Sequence, residues 1–165
     1  MILEPVLFHV TGYPAPKGSM KCIGKRGKVK HQLVEDVRVG QRNWRNRVVR
    51  AAAATGVTAG PGQPVSVDVT FTLDRPASHR GTGRNRDIVK AKAPTYPTGQ
   101  STNDLDKMVR LIGDALQEAE LLVDDAQVVD WRARKRYVDG PDPGPMKIPG
   151  ALIRVRPIGL PDHEV

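Results

Sequence analysis

Apolar residues alternate with polar ones along several stretches of the chain and recur at helical spacing along two others. Val65 to Leu73 alternates without a break, which predicts a strand with Val65, Val67, Val69, Phe71 and Leu73 toward a core. Val6 to Tyr13 predicts a first strand, closed by Pro14 and Pro16, which cannot continue a ladder. Val128 to Val138 predicts another, with Val128, Asp130, Arg132, Arg134 and Arg136 on one face and Val129, Trp131, Ala133 and Lys135 on the other. A Gly/Pro-rich turn from Gly140 to Pro149 leads to a last strand at Ala151 to Val155, with a loose tail expected from Pro157. Helical spacing predicts a helix over Gly40 to Thr55, carrying Trp44, Val48, Ala51, Ala52 and Thr55 on one stripe and Arg38, Arg42, Arg45 and Arg50 on others. A second helix, from Asp104 to Glu120, presents Leu105, Met108, Val109, Ile112, Leu116 and Ala119.

Four strands and two helices in 165 residues make one α+β domain over the whole chain, with a small sheet of about four strands against the two helices. The composition is 39% hydrophobic but only 4% aromatic, with sixteen Gly and fourteen Pro, so Val, Leu, Ile and Ala must build the core and long loops must surround it. Two loops lack any apolar period. Residues 17–30 hold Lys17, Lys21, Lys25, Arg26, Lys28 and Lys30 without an acid, and residues 75–99 hold Arg75, Arg80, Arg84, Arg86, Lys90 and Lys92. The second is expected to be a flexible arm that grips DNA, with a simple solvated insertion as the alternative.

A net charge of +8 points to a polyanionic partner, because clustered Lys and Arg gain affinity by releasing counterions from a phosphate backbone. The solitary Cys22 excludes an intrachain disulfide and a multi-Cys zinc site. No apolar run reaches the roughly 18 residues of a membrane span, and residues 1–10 do not read as a signal peptide, so an intracellular, cytoplasmic protein is expected.

Against that basic background, Ser101 to Asp130 carries eight acidic residues and two basic ones, while the rest of the chain has ten acids to 24 Lys and Arg. Like charges held together repel unless a cation lies between them, so a divalent metal is the economical explanation. Asp104 and Asp106 stand two apart at a helix start, where they can converge on one ion, and Asp104 also suits the N-cap. Asp124 and Asp125 follow the helix, and Asp125 completes the site if the next strand begins beside the helix start. Hard oxygen donors select Mg2+ or Mn2+. Asp-x-Asp alone is shared with metal-dependent glycosyltransferases and calcium-binding loops; the second acidic pair and the basic loops favour phosphodiester hydrolysis. Arg110 is placed either in an i,i+4 ion pair with Asp106 or against a scissile phosphate, where a permanent cation stabilises charge but donates no proton.

Asp104-Leu105-Asp106-Lys107, the helix through Asp114-Ala115-Leu116, and Val123-Asp124-Asp125-Ala126-Gln127-Val128-Val129 closely resemble the RusA-type Holliday junction resolvases of bacteria, prophages and phages. The resemblance is strong from Asp104 to Lys135 and extends more weakly over the first strand. It implies a small α+β homodimer with a mixed sheet that cuts four-way DNA junctions by paired, symmetric nicks with Mg2+ or Mn2+. It carries the essential carboxylates onto Asp104, Asp106 and Asp125, with Asp124 adjacent as a further metal ligand. Arg110 stands where the best-known member has a catalytic lysine. The basic residues Lys17, Lys21, Lys25, Arg26, Arg75, Arg80, Arg84, Arg86, Lys90, Lys92 and Lys107 are the expected DNA contacts. Two other functions stay open on the residues: a less selective branched-DNA or flap nuclease, and a DNA-binding accessory module without turnover.

Overall fold

Strand β4 (Val65–Leu73) is the centre of the molecule, flanked by β6 (Gly150–Pro157) running antiparallel and β5 (Val128–Tyr137) running parallel to it. Strand β1 (Val6–Thr11) pairs antiparallel with β6, which completes a mixed four-stranded sheet in the order β1-β6-β4-β5. A separate two-stranded ribbon pairs β2 (Met20–Cys22) with β3 (Leu33–Glu35). Two helices, α1 (Val39–Ala53) and α2 (Leu105–Glu118), pack against each other and against the sheet. The computed structural model describes residues 4–18, 20–22, 33–35, 39–99, 102–141 and 146–159. The fold is therefore α+β, as the hydrophobic pattern predicts, and the tail beyond residue 159 lies outside the described residues. Among the described residues, no helix is long and apolar enough to cross a membrane.

The core forms where the inward face of β4 meets the helices. Val65, Val67, Val69 and Phe71 are fully buried with Trp44 and Val48 of α1 and with Met108, Leu111, Ile112, Ala115 and Leu116 of α2. Leu111 and Ala115 extend the apolar face of α2 beyond the expected stripe, because a helix wedged between a sheet and a neighbouring helix buries more than one narrow seam. Truncating Ile112 or Leu116 to Ala would cost about 2–5 kcal/mol in lost transfer energy and cavity formation. Trp131 on β5 lies against Gly113 of α2, which seats the helix close to the strand.

The other face of β4 is also covered, although its residues are polar. Ser66, Thr70 and Thr72 are buried because long side chains and a loop close over them. Arg134 donates to both Asp68 (2.8 Å) and Thr70 (3.2 Å), and the backbone N–H of Met146 donates to the Thr72 hydroxyl at 2.8 Å. Gly150 at the start of β6 is constrained by close approach, since any Cβ there would collide with the Val10 carbonyl.

Residues 75–99 are not a structureless arm. Short 3-10 turns at Ala77–His79 and Gly83–Asn85 and an antiparallel bridge between Arg80 and Val89 fold them into a compact lobe. Asp139 pins that lobe to the end of β5, accepting from Arg75 Nε at 2.8 Å and from Arg80 Nη2 at 3.0 Å. The Arg75 guanidinium also stacks 4.3 Å above the Tyr137 ring and donates to the Pro94 carbonyl at 2.7 Å, leaving its side chain only 5% exposed. Burial raises the Tyr137 phenol's pKa, with nearby Arg75 opposing and Asp139 adding to the shift.

Replacing Asp139 with Ala strips the charge partner from a buried Arg75 and should destabilise the protein by about 2–3 kcal/mol in chemical denaturation, less than for a fully enclosed pair because Asp139 is partly solvated. Trypsin should then cut at Arg84, Arg86 and Lys92 faster than in the unsubstituted protein; an unchanged digestion rate would show that Asp139 does not hold the lobe.

Candidate metal and nucleic-acid site

The start of α2 is built by a tight turn. Thr102 is buried and donates its hydroxyl to the carbonyls of Gly99 (2.7 Å) and Pro97 (3.0 Å), and Asn103 adopts a left-handed φ of 63°. Asparagine tolerates that conformation better than other non-glycine residues. Asp104 occupies the N-cap position, yet its side chain makes no capping hydrogen bond and instead pairs with Lys107 at 3.0 Å. Its carboxylate is therefore turned outward, as is that of Asp106 one residue into the helix, and both side chains are 66% exposed.

Arg110 donates to Asp106 at 2.5 Å, one helical turn on, so it forms the i,i+4 pair. That hydrogen bond is the main reason the Asp106 carboxyl titrates below the ordinary carboxylate range, with backbone and lysine contacts adding to it. Asp114, a turn further, does not join them; it pairs with Lys17 at 2.7 Å. Lys135 on β5 reaches the same turn from below, donating to the Asn103 carbonyl at 2.8 Å and to the Thr102 hydroxyl at 3.2 Å. Burial lowers its pKa and the nearby Asp104 charge partly offsets that. The expected pattern placed Lys135 on a strand face without a role; its partners are 32 and 33 residues away in sequence, so only the fold reveals them.

The second acidic pair is elsewhere. Because β5 runs parallel to β4, it begins at the end of the sheet where β4 begins, while Lys135 near its far end touches the start of α2. Asp124 and Asp125 therefore sit past the C-terminal end of α2, a helix length of about 20 Å from Asp104 and Asp106. The condition under which Asp125 would complete the site, a strand that begins beside the helix start, is therefore not met within one chain. Among the described residues, no three His, Cys, Asp or Glu side chains cluster closely enough to hold a metal.

Asp124 has a local duty in the structure. It caps the 3-10 turn Asp125–Gln127, its side chain accepting from the Ala126 N–H at 2.8 Å, while Gln127 returns the favour by accepting from the N–H groups of Val123 and Asp124. Gln127 is buried and its amide donates to the Gly60 and Gln63 carbonyls, which ties this turn to the loop before β4. Asp125 is exposed, and none of its carboxylate oxygens is engaged by a described residue. Of the two, Asp125 is the carboxylate at liberty to bind a cation.

The basic residues divide just as sharply. Lys17 and Lys107 are engaged by Asp114 and Asp104, and Arg75 and Arg80 by Asp139. Lys90 donates to the Ser78 carbonyl at 2.9 Å. Arg84, Arg86 and Lys92 are exposed, with Arg86 only loosely paired to Asp87 at 3.9 Å. Lys21 lies on β2, and Lys25 and Arg26 lie outside the described residues. The expected gripping arm thus offers Arg84, Arg86 and Lys92 to a partner, while Arg75 and Arg80 hold the lobe together.

A comparison with protein families matches residues 14–143, well over half of the chain, to the family described as Endodeoxyribonuclease RusA. No curated protein matches the chain.

Substituting Arg110 with Gln removes the main cause of the Asp106 shift, so carboxyl-detected NMR should show the Asp106 pKa rise toward the ordinary carboxylate range. An Asp106 titration that ignores the substitution would break the pairing seen here.

Proposed function

Because the chain belongs to the RusA endodeoxyribonuclease family, we propose that it is a Mg2+-dependent, structure-specific endonuclease that resolves four-way DNA junctions by paired, symmetric phosphodiester hydrolysis, with Mn2+ as a substitute ion. The observation that carries this is the pair of outward-turned carboxylates at the start of α2, Asp104 and Asp106, in a protein of net charge +8. A basic protein gains nothing for DNA binding by exposing two acids together, whereas hard oxygen donors fit a hard divalent cation. When bound, such an ion polarises the phosphoryl group and activates the attacking water. Asp104 and Asp106 hold it. Lys135 and the Thr102–Asn103 turn keep Asp104 in place, and Arg110 orients Asp106 while bringing a permanent positive charge beside the scissile phosphate. Arg110 donates hydrogen bonds but moves no proton, since its guanidinium stays protonated. The same reading puts the protein in the cytoplasm of a bacterial or phage-infected cell.

Asp125 enters the site only if a second copy supplies it. The two carboxylate groups lie at opposite ends of the unit formed by α2 and β5, and among the described residues β5 is the edge strand of the sheet and pairs only with β4. A two-fold axis that sets two such units antiparallel brings Asp125 of one protomer toward Asp104 and Asp106 of its partner. Two equivalent sites then face the two equivalent strands of a four-way junction. Asp124 remains the cap of its turn.

The reading is tested with a labelled synthetic four-way junction beside linear duplex, single-stranded and flap DNA of the same sequence, in Mg2+ and in EDTA. Symmetric paired cuts confined to the junction and abolished by EDTA are expected; metal-dependent cutting of every substrate would instead indicate a general nuclease, and binding without cutting an accessory module. The shared site has its own test. Asp106→Asn and Asp125→Asn should each abolish cleavage alone, and mixing the two should restore nicking, because one heterodimer site then holds neither substitution. No recovery on mixing, with subunit exchange verified, would place each site within one protomer.

A further inference from the structure

Helix α1 carries a face that the catalytic reading leaves unused. Arg42, Asn43, Asn46, Arg47 and Arg50 are all exposed and fall within an arc of about 140° on the helix. Arg45 points elsewhere and is neutralised by Glu118 at 2.7 Å. The outward arc has no acidic residue, and no described residue is bonded to the Arg42 or Arg50 guanidinium. Neighbouring like charges such as Arg47 and Arg50, three residues apart, cost helix stability instead of adding to it. A helix face built for solubility alone mixes signs.

The face continues onto the edge of the sheet. An open cleft of about 660 Å³ runs between α1 and β1, lined by His9, Thr11, Asn43, Asn46, Arg47 and Arg50. Arg47 is fixed in it, with Nη1 donating to the Thr11 carbonyl at 3.1 Å and its stem packed over Gly12, where a Cβ would lie only 3.1 Å from Arg47 Cδ. A guanidinium held this way at the wall of the cleft loses little freedom on meeting an anion there. Along the helix axis Arg42 and Arg50 are about 12 Å apart, the span of several phosphates on one strand.

We propose that the outer face of α1, with the β1 edge, is a second nucleic-acid contact that takes the sugar–phosphate backbone of one duplex arm of the junction. This rests on the junction reading above and deepens it. The β1 edge is three strand spacings, about 14 Å, from β5, less than half a turn of duplex, so one arm leaving the carboxylates can reach it across the helix layer. The contact is to backbone and carries no sequence preference, since Arg and Asn here meet phosphate and sugar oxygens, not base edges.

The test uses the full chain and two labelled DNAs, a synthetic four-way junction and a linear duplex of one arm's sequence, with binding measured in EDTA over a salt series. The double variant Arg42→Gln/Arg50→Gln should bind the junction roughly tenfold more weakly at physiological salt, and the slope of log affinity against log salt should fall by about 2, one per lost phosphate contact. Arg42→Lys/Arg50→Lys should keep most of the affinity and slope, which separates lost charge from misfolding. A glutamine variant with wild-type affinity and slope overturns the proposal, as does a lysine variant that loses binding as fully as the glutamine one. Cleavage of the junction by the unsubstituted protein in Mg2+, run alongside, decides the junction reading separately; if that fails, the linear duplex still reports whether α1 binds DNA backbone.

Discussion

The parallel pairing of β5 with β4 governs where the chemistry can occur. A parallel crossover through α2 returns the chain to the end of the sheet at which β4 begins, so the residues before α2 and the residues before β5 are held at opposite ends of one packed unit. The register of β4 against β5 and the burial of Met108, Leu111, Ile112 and Leu116 against the sheet resist any slide that would bring Asp125 to Asp106 within one chain. Carboxylates separated by a helix length cannot share an ion, and a well-packed core does not stretch to let them. In the proposed dimer, an edge strand and a two-fold axis would achieve what the single chain cannot.

Electrostatics divide the charged residues into those that build and those that are left over. Asp139 spends its charge on Arg75 and Arg80, Asp114 on Lys17, Asp68 on Arg134 and Glu118 on Arg45. Once these pairs are set aside, the remaining acid includes exposed Asp125 and the start of α2, where Asp104 and Asp106 keep only exposed pairs with Lys107 and Arg110, and the remaining base includes Arg84, Arg86, Lys92 and the outer face of α1. The pairs at the surface are worth little individually. Their effect on function is larger, because they decide which guanidinium groups can meet a phosphate. Charge counted along the sequence therefore overstates the unpaired positive charge of the 75–99 lobe and understates that of α1.

The elements with strong periodicity were legible without coordinates. Strict alternation in β4 and the apolar stripe of α2 reflect burial on one face of a regular element, which local spacing records directly. The Asp-x-Asp pair was equally legible at the helix start. Local spacing does not record whatever depends on a distant partner. Arg75 reads as a DNA grip until Asp139, 64 residues on, is placed beside it. Asp124 reads as a ligand by spacing, while in the fold it forms a capping box with Gln127, a signature the sequence carries as an Asp three residues before a Gln just ahead of Val128 and Val129. The buried polar face of β4 escaped because Arg134 and the Met146 backbone cover it from other parts of the chain.

The turn at residues 102–104 shows how the fold keeps an N-cap carboxylate from its own helix. A side chain at an N-cap ordinarily bends back to its own helix, which would consume the oxygens a metal needs. Here the left-handed Asn103 redirects the chain, Thr102 anchors it to the loop behind, and Lys135 clamps the Asn103 carbonyl from the neighbouring strand. Asp104 is left with no capping bond and its oxygens outward. The strain at Asn103 is small for an asparagine, and the Lys135 contact can offset it. The clamp also sets the rigidity of the site, since it ties the start of α2 to β5, the strand whose other end carries Asp125. One side chain thus links the helix that presents Asp104 and Asp106 to the edge strand across which a second copy would have to dock.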